Sequence, residues 1–160
     1  MLIRLATAAD RPAIWGILEP TIRAGETYAL ERDMPEDEAI AYWTGPGRAV
    51  FVAEEDGRIV GTYYLTTNQR GGGAHVANCG YMTDPAARGR GVARAMAEHS
   101  LEEARRRGFL AMQYNFVVAS NESAVHLWQS LGFAVVGRLP GAFQHPHLGY
   151  VDTRVMFRRL

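Results

Sequence analysis

Apolar residues recur along this chain with two different periods, and these separate strands from helices. Short apolar runs, several of them alternating, predict strands over residues 2–6, 49–54, 59–67, 75–83, 110–118, 134–139 and about 150–157. A helical period predicts four helices. They begin after Thr7–Asp10, at Pro35, near residue 91 and at Asn121, and the last two end at Gly108 and Gly132.

Turn signals place several predicted strands in antiparallel order. Asp56-Gly57 is typical of a tight hairpin, and Gly71–Gly73 is a flexible turn into the next strand. Residues 140–149 are predicted as a long loop between the last two strands. With 160 residues, the chain is expected to form one domain over residues 1–160. The expected class is α/β, with a mixed, mostly antiparallel sheet and about four helices.

The composition limits which binding partners and which cellular location we expect. Seventeen basic residues balance seventeen acidic ones, so we expect no nucleic-acid partner. No apolar run approaches membrane-spanning length, and residues 1–4 are too short and polar to form a signal peptide. The single cysteine, Cys79, excludes an internal disulfide and fits a cytoplasmic location. We expect Cys79 to be buried and inert.

The segment Met82–Ala93 carries the clearest chemical signal. It has the order strand end, turn, glycine-rich loop and helix start. Backbone N–H groups in the first helical turn lack helical partners and lie at the positive end of the helix dipole, which suits a diphosphate. Gly89 and Gly91 let the backbone approach an anion closely. Positive charge is added by Arg88, Arg90 and Arg94.

Two other phosphate-binding loops fit the segment poorly. Gly89-x-Gly91 matches half of a dinucleotide-binding fingerprint, but Arg94 stands at the third glycine position. Phe109 stands where a ribose-binding acid is expected. A P-loop requires a lysine, and every basic residue of this chain is arginine.

The pattern Arg88-x-x-Gly91-x-Ala93 resembles the pyrophosphate signature of the GNAT superfamily of acyl-CoA N-acyltransferases. Asp84-Pro85 stands where that family usually ends its central strand. Asn121–Phe133 resembles the family's second motif, and residues 3–10 resemble its opening. The resemblance covers nearly the whole chain. It implies the GNAT fold, whose splayed central strands admit the pantetheine arm of acetyl-CoA.

The resemblance also implies roles for individual residues. A backbone N–H in the strand end that receives the pantetheine arm, assigned to Met82, would stabilise the oxyanion. Asn121 would contact the pantetheine arm, although it is an equally good helix cap. The residues assigned to acetyl-CoA are Tyr81, Met82, Thr83, Arg88, Gly89, Arg90, Gly91, Val92, Ala93, Arg94 and Asn121. No metal is expected.

Two positions depart from the family pattern. Trp128 stands where many members have a tyrosine that protonates the leaving thiolate, and Phe116 stands where some have a glutamate base. An indole N–H is not a usable acid at neutral pH. We therefore expect no conventional acid–base pair, and direct attack by the amine in a ternary complex. A thiolate, whose parent thiol has a pKa of about 8.5, needs less help to leave than an alkoxide would.

A narrower resemblance suggests the acceptor. Residues 114–121, Trp128, 137–140 and 150–152 look like a subgroup that includes the yeast azetidine-carboxylate N-acetyltransferase, and the opening resembles phosphinothricin-type acetyltransferases. Both imply a small amino or imino acid. The asparagines that handle substrate in that subgroup fall on Asn78 and Asn115, although each could instead satisfy backbone groups. A homodimer is implied only by the family resemblance.

Other candidates carry weaker signals. His75 is a possible base, and His145 and His147 are expected to line the acceptor pocket or a dimer interface. Tyr28 and Glu26 lie in a polar loop that often closes over the acceptor in this family. Two further functions stay open: acetylation of a protein N-terminus, and acyl-CoA binding without catalysis.

Overall fold

The computed structural model describes residues 1–160 as one seven-stranded sheet with four α-helices. The strands are β1 (Leu2–Leu5), β2 (Ala49–Glu55), β3 (Arg58–Thr67), β4 (Val76–Thr83), β5 (Ala111–Val118), β6 (Ala134–His145) and β7 (Gly149–Arg159). The helices are α1 (Arg11–Ala24), α2 (Glu36–Trp43), α3 (Val92–Arg106) and α4 (Glu122–Ser130). The predicted α/β class and number of helices are confirmed. No helix is long and apolar enough to span a membrane.

The sheet has the order β1-β2-β3-β4-β5-β7-β6, and every neighbouring pair is antiparallel except β4 and β5. Side chains alternate between its faces, so two separate apolar clusters form. One cluster packs α3 and α4 against residues such as Tyr63 and Tyr114. The other packs α1 and α2 against residues such as Tyr64 and Met82. A ligand that enters between β4 and β5 can therefore be reached from two sides.

The predicted helix starts have the expected local causes. At the first helix, the Thr7 N–H donates to the Asp10 carboxylate at 2.7 Å, and Arg4 donates two further hydrogen bonds to the same group. At α4, Asn121 Oδ1 accepts the Ala124 N–H at 3.4 Å. The Arg4 guanidinium holds the pKa of Asp10 well below its usual range. These contacts connect the chain's opening to the face that carries α1.

The central strands separate after a very short pairing. β4 and β5 are in register only at Val76↔Ala111 and Ala77↔Met112. At the next residue, Asn78 Nδ2 donates to the Gln113 carbonyl oxygen at 2.8 Å, so a side chain replaces the strand ladder where the gap opens. The register of β5 with β7 also shifts between Tyr114 and Val117, and such a bulge bends a strand. The splayed strands implied by the family resemblance are thus present.

The prediction of a long loop at residues 140–149 was wrong. β6 continues to His145 and pairs with β7 as far as His145↔Gly149, leaving a turn over residues 146–148. The predicted strand ended before Pro140, because proline has no backbone N–H to donate to a neighbouring strand. It is tolerated because β6 lies at the sheet edge and the register shifts between Leu139 and Phe143.

Candidate active site

A cavity of about 930 Å³ occupies the gap between the separating ends of β4 and β5. It continues from the first turn of α3 to the segment that joins α1 and α2. The sequence-predicted residues that line it are Asn78, Tyr81, Met82, Thr83, Arg88, Gly89, Gly91, Val92, Ala93, Arg94, Asn115 and Asn121. The tertiary structure therefore brings together all but one of the assigned residues.

The loop before α3 is shaped to hold an anion. Gly89 and Gly91 have φ values of +77° and +80°, and a Cβ built on either would meet no atom within 4 Å. These values favour glycine, and the open space lets a ligand approach the backbone. The first helical bond runs from Ala95 N–H to Gly91 O, so the preceding N–H groups of the first turn remain free. Arg88 and Arg94 line the same end of the cavity.

Arg90 is the assigned residue that lies apart from the cavity. Its guanidinium forms an ion pair with Glu55, at the end of β2. It lines a separate small pocket with Arg58 and Asp84 instead. Because Arg90 does not line the cavity, the loop's positive charge toward the cavity comes from Arg88 and Arg94.

The backbone of β4 presents alternate residues to the gap. Asp84 N–H donates to Val60 O on β3, and by antiparallel alternation Met82, opposite Thr62, also directs its backbone groups toward β3. Tyr81 directs its backbone groups the other way, because its N–H donates to the Tyr28 hydroxyl at 2.8 Å. The same hydroxyl donates to the Tyr81 carbonyl oxygen at 2.9 Å. The backbone N–H that faces the gap is therefore that of Tyr81, whereas the N–H of Met82, the residue assigned to the oxyanion from the sequence, is directed toward β3.

Below the gap lies a group of buried aromatic side chains. The Tyr81 hydroxyl is 2.7 Å from Ser100 Oγ and 2.9 Å from the Tyr114 hydroxyl. The Trp128 ring lies 5.0 Å, centroid to centroid, from each tyrosine ring. Burial raises the pKa of both tyrosines well above the usual value, so they remain neutral. Trp128 is only 8% exposed and fills space in this layer.

Three amide side chains, those of Gln113, Asn115 and Asn68, are linked by hydrogen bonds beside the gap between β4 and β5. Gln113 Nε2 donates to Asn115 Oδ1 at 2.8 Å, and Asn115 Nδ2 donates to Asn68 Oδ1 at 2.6 Å. Both asparagines line the cavity, but Asn115 is exposed, whereas the Asn78 side chain donates to the Gln113 carbonyl oxygen. Asn115 thus retains access to a ligand, and Asn78 also sets where the strands part.

The end of the cavity beyond the strands contains residues that the sequence motifs do not mark. They are Thr21, Glu26, Thr27, Tyr28, Ala29, Tyr42, Arg48, Tyr64 and His145. Glu26, Tyr28 and His145 were candidates, but Arg48 was missed. Its surroundings come from α2 and β3, and no local pattern joins those segments.

The tautomer of His145 limits what this side chain can do. Its Nδ1 accepts the backbone N–H groups of His147 and Leu148 at 3.1 and 3.2 Å. In the neutral ring the proton is then on Nε2, which makes that nitrogen a donor. His145 lines the cavity, while His75 and His147 do not. His145 is therefore suited to donate a hydrogen bond through Nε2.

Covalent catalysis by a cysteine finds little support in the cavity. Burial raises the pKa of the Cys79 thiol to about 12, so it is a poor nucleophile at neutral pH. No group of three or more His, Cys, Asp or Glu side chains is arranged to hold a metal ion. The arrangement instead provides an anion loop, a strand backbone open to pairing and a polar pocket beyond it.

Comparison with known proteins gives a consistent result. The family model described as acetyltransferase (GNAT) family matches residues 15–133. The L-amino acid N-acyltransferase MnaT of Escherichia coli is 30% identical, over 88% of this chain and 83% of that protein.

Two solved structures resemble the fold closely. A GCN5-related N-acetyltransferase from Kribbella flavida has a TM-score of 0.94 and 44% identity, covering 99% of this chain and 97% of its own. The yncA acetyltransferase of Salmonella typhimurium, solved with acetyl-CoA, has a TM-score of 0.86 and 26% identity, covering 100% and 94%.

Proposed function

The chain belongs to the acetyltransferase (GNAT) family, and from this premise we propose that it transfers the acetyl group of acetyl-CoA to the amine of a small amino or imino acid. The observation that carries the proposal is the single cavity that joins the anion loop to a polar pocket through the gap between β4 and β5. A thioester and an amine can meet only where two such sites are continuous.

The loop before α3 fits the diphosphate of acetyl-CoA. Its two left-handed glycines expose the backbone, and the first turn of α3 supplies free N–H groups at the positive end of the helix dipole. Arg88 and Arg94 add charge. The related Salmonella protein was solved with acetyl-CoA, which supports the same ligand for this chain.

The backbone of Tyr81 is the proposed site for the thioester. Acetyl-CoA supplies an activated acyl group, and an N–H aimed at its carbonyl oxygen stabilises the charge that develops during attack. The Tyr81 N–H already has a hydrogen-bond acceptor in the Tyr28 hydroxyl at 2.8 Å. An incoming carbonyl oxygen would take that position, so the Tyr28 side chain has to move when acetyl-CoA binds.

The residues around the gap favour direct attack over an acyl-enzyme. Cys79 is the only thiol, and burial raises its pKa to about 12. Trp128 offers no acidic proton for the leaving thiolate. The amine therefore attacks in a ternary complex, losing its proton to water or to Glu26 at the mouth of the pocket. Glu26 is exposed and lines the cavity.

Substrate class is supported from two directions. The pocket beyond Tyr81 is polar, with amide, carboxylate and guanidinium groups among its lining residues. The related Escherichia coli protein is named as an L-amino acid N-acyltransferase. An α-amino or imino acid therefore suits both the pocket and the relative.

The test is release of free thiol from acetyl-CoA across amino acids, imino acids, polyamines, aminoglycosides and short peptides. We expect turnover with amino or imino acids, and initial-rate lines that intersect when both substrates are varied. Parallel lines would contradict the ternary complex. Turnover with peptides alone would favour acetylation of a protein N-terminus, and acetyl-CoA binding without any turnover would favour a non-catalytic binder.

A further inference from the structure

Arg48 occupies an unusual position between two tyrosines at the end of the cavity. Its guanidinium carbon lies 4.1 Å from the ring centroid of Tyr64 and 4.4 Å from that of Tyr42. Flanking aromatic rings stabilise a cation and restrict its side chain. The charge is therefore held in place without an acidic partner.

The hydrogen-bonding capacity of Arg48 is only partly used. One Nη1 proton goes to the Tyr42 carbonyl oxygen, while Nε and Nη2 have no protein acceptor. Arg48 also forms no ion pair, unlike the cavity-lining Arg94, which pairs with Glu98 at 3.6 Å. A planar guanidinium edge with two free N–H groups matches the geometry of a carboxylate.

Arg48 and the proposed diphosphate site lie on opposite faces of the sheet. Tyr64 belongs to the apolar cluster of α1 and α2, whereas α3, whose first turn follows the anion loop, packs on the other face. The Tyr64 ring also lies across Gly80, because a Cβ built there would come within 2.5 Å of the ring. Arg48 is thus positioned beyond the gap, on the side from which an acceptor would enter.

We propose that Arg48 binds the carboxylate of the acceptor, and that the enzyme therefore selects free amino or imino acids over amines that lack a carboxylate. This inference rests on the proposed function and adds the group that recognises the substrate. Glu26 lines the same end of the cavity without pairing to Arg48. One cationic and one anionic side chain in a shared pocket complement the two charges of a zwitterion.

The test compares L-alanine, L-leucine, L-methionine and L-proline with the carboxamide of each, using wild type and Arg48→Met. We expect wild type to prefer the free acids. Arg48→Met should lower kcat/KM for the acids by about 10- to 100-fold, mainly through KM, because a charged hydrogen-bond pair is lost. Turnover of the carboxamides should change little. Arg48→Lys should recover part of the loss, since it keeps the charge but not the planar edge.

Arg105→Met is a matched control, because Arg105 is exposed at the end of α3 and forms no ion pair. Its kinetics should equal those of wild type. Thermal unfolding and acetyl-CoA binding show whether Arg48→Met is folded. If Arg48→Met is misfolded, Arg48→Lys with the same acid and amide pairs decides the question.

Two outcomes would overturn the inference. Equal losses for acids and carboxamides would show that Arg48 only supports Tyr42 and Tyr64. Equal turnover of acids and carboxamides by wild type would show that no carboxylate is recognised, while the proposed acetyl transfer would stand. Absence of thiol release with every acceptor would instead remove the proposed function itself.

Discussion

The Tyr28 hydroxyl hydrogen-bonds to both backbone polar groups of Tyr81, although 53 residues separate them in sequence. It accepts from the N–H at 2.8 Å and donates to the carbonyl oxygen at 2.9 Å. A strand edge in the gap would otherwise leave these groups without protein partners. Tyr28 therefore occupies the place where an added strand would pair, which is also where we propose that the pantetheine arm binds.

Tyr28→Phe tests this competition. We expect acetyl-CoA to bind several-fold more tightly to the variant, because the Tyr81 backbone no longer has a partner to release. The free enzyme should lose about 1 kcal/mol of stability with the two hydrogen bonds. Calorimetric titration and thermal unfolding measure the two effects. Tyr150→Phe, at a residue that is 74% exposed, serves as the control. Weaker binding by Tyr28→Phe would assign the hydroxyl to the acetyl-CoA site instead.

Gly91→Asp tests the anion loop. It places a carboxylate where the diphosphate is proposed to bind and should weaken acetyl-CoA binding by roughly 100-fold or more, through repulsion between like charges. Gly108→Asp is matched to it, since Gly108 has φ +85°, also has open space around its Cβ position, and lies outside the cavity. Both variants bear the same kind of backbone strain. Normal acetyl-CoA binding by Gly91→Asp would exclude the loop from the site.

Trp128→Phe separates packing from proton transfer. Trp128 is only 8% exposed and contacts Tyr81 and Tyr114, so the smaller ring should lower the free energy of unfolding by about 1–3 kcal/mol. The value of kcat should change only modestly, because the proposed mechanism transfers no proton through the indole. A large loss of kcat in a variant that still folds and binds acetyl-CoA would contradict the proposal that Trp128 takes no part in proton transfer.

Asn115→Ala tests recognition of the acceptor. Asn115 is exposed in the cavity, and its amide is oriented by Gln113 and Asn68. We expect KM for the amino acid to rise more than KM for acetyl-CoA. Asn68→Ala, which removes only the supporting contact, should give a smaller change in the same direction. Equal effects of Asn115→Ala on both substrates would indicate a structural role.

Cys79 provides a test against an acyl-enzyme. Burial raises the pKa of the Cys79 thiol to about 12, so very little thiolate is present at pH 8. Iodoacetamide should therefore label the folded protein very slowly and the unfolded protein readily. Cys79→Ala should keep a wild-type kcat. Rapid labelling, or loss of turnover in a folded Cys79→Ala variant, would indicate a nucleophilic role.

Much of the fold followed from local patterns in the sequence. The Thr7–Asp10 helix start, the Asn121 cap and the glycine-rich loop before α3 each depend on residues a few positions apart. The edge strand was harder to predict, because Pro140 is incompatible with a central strand but not with an edge. Sheet order, which decides this, is a long-range property.

The candidate site divides in the same way. The anion loop and the helix that follows it were determined by the sequence, because glycine at positive φ and the free N–H groups of a helix start are local properties. The contact of Tyr28 with Tyr81 and the position of Arg48 between Tyr42 and Tyr64 were decided by the tertiary structure. These contacts join distant segments, and strand register together with helix packing determines whether their side chains meet.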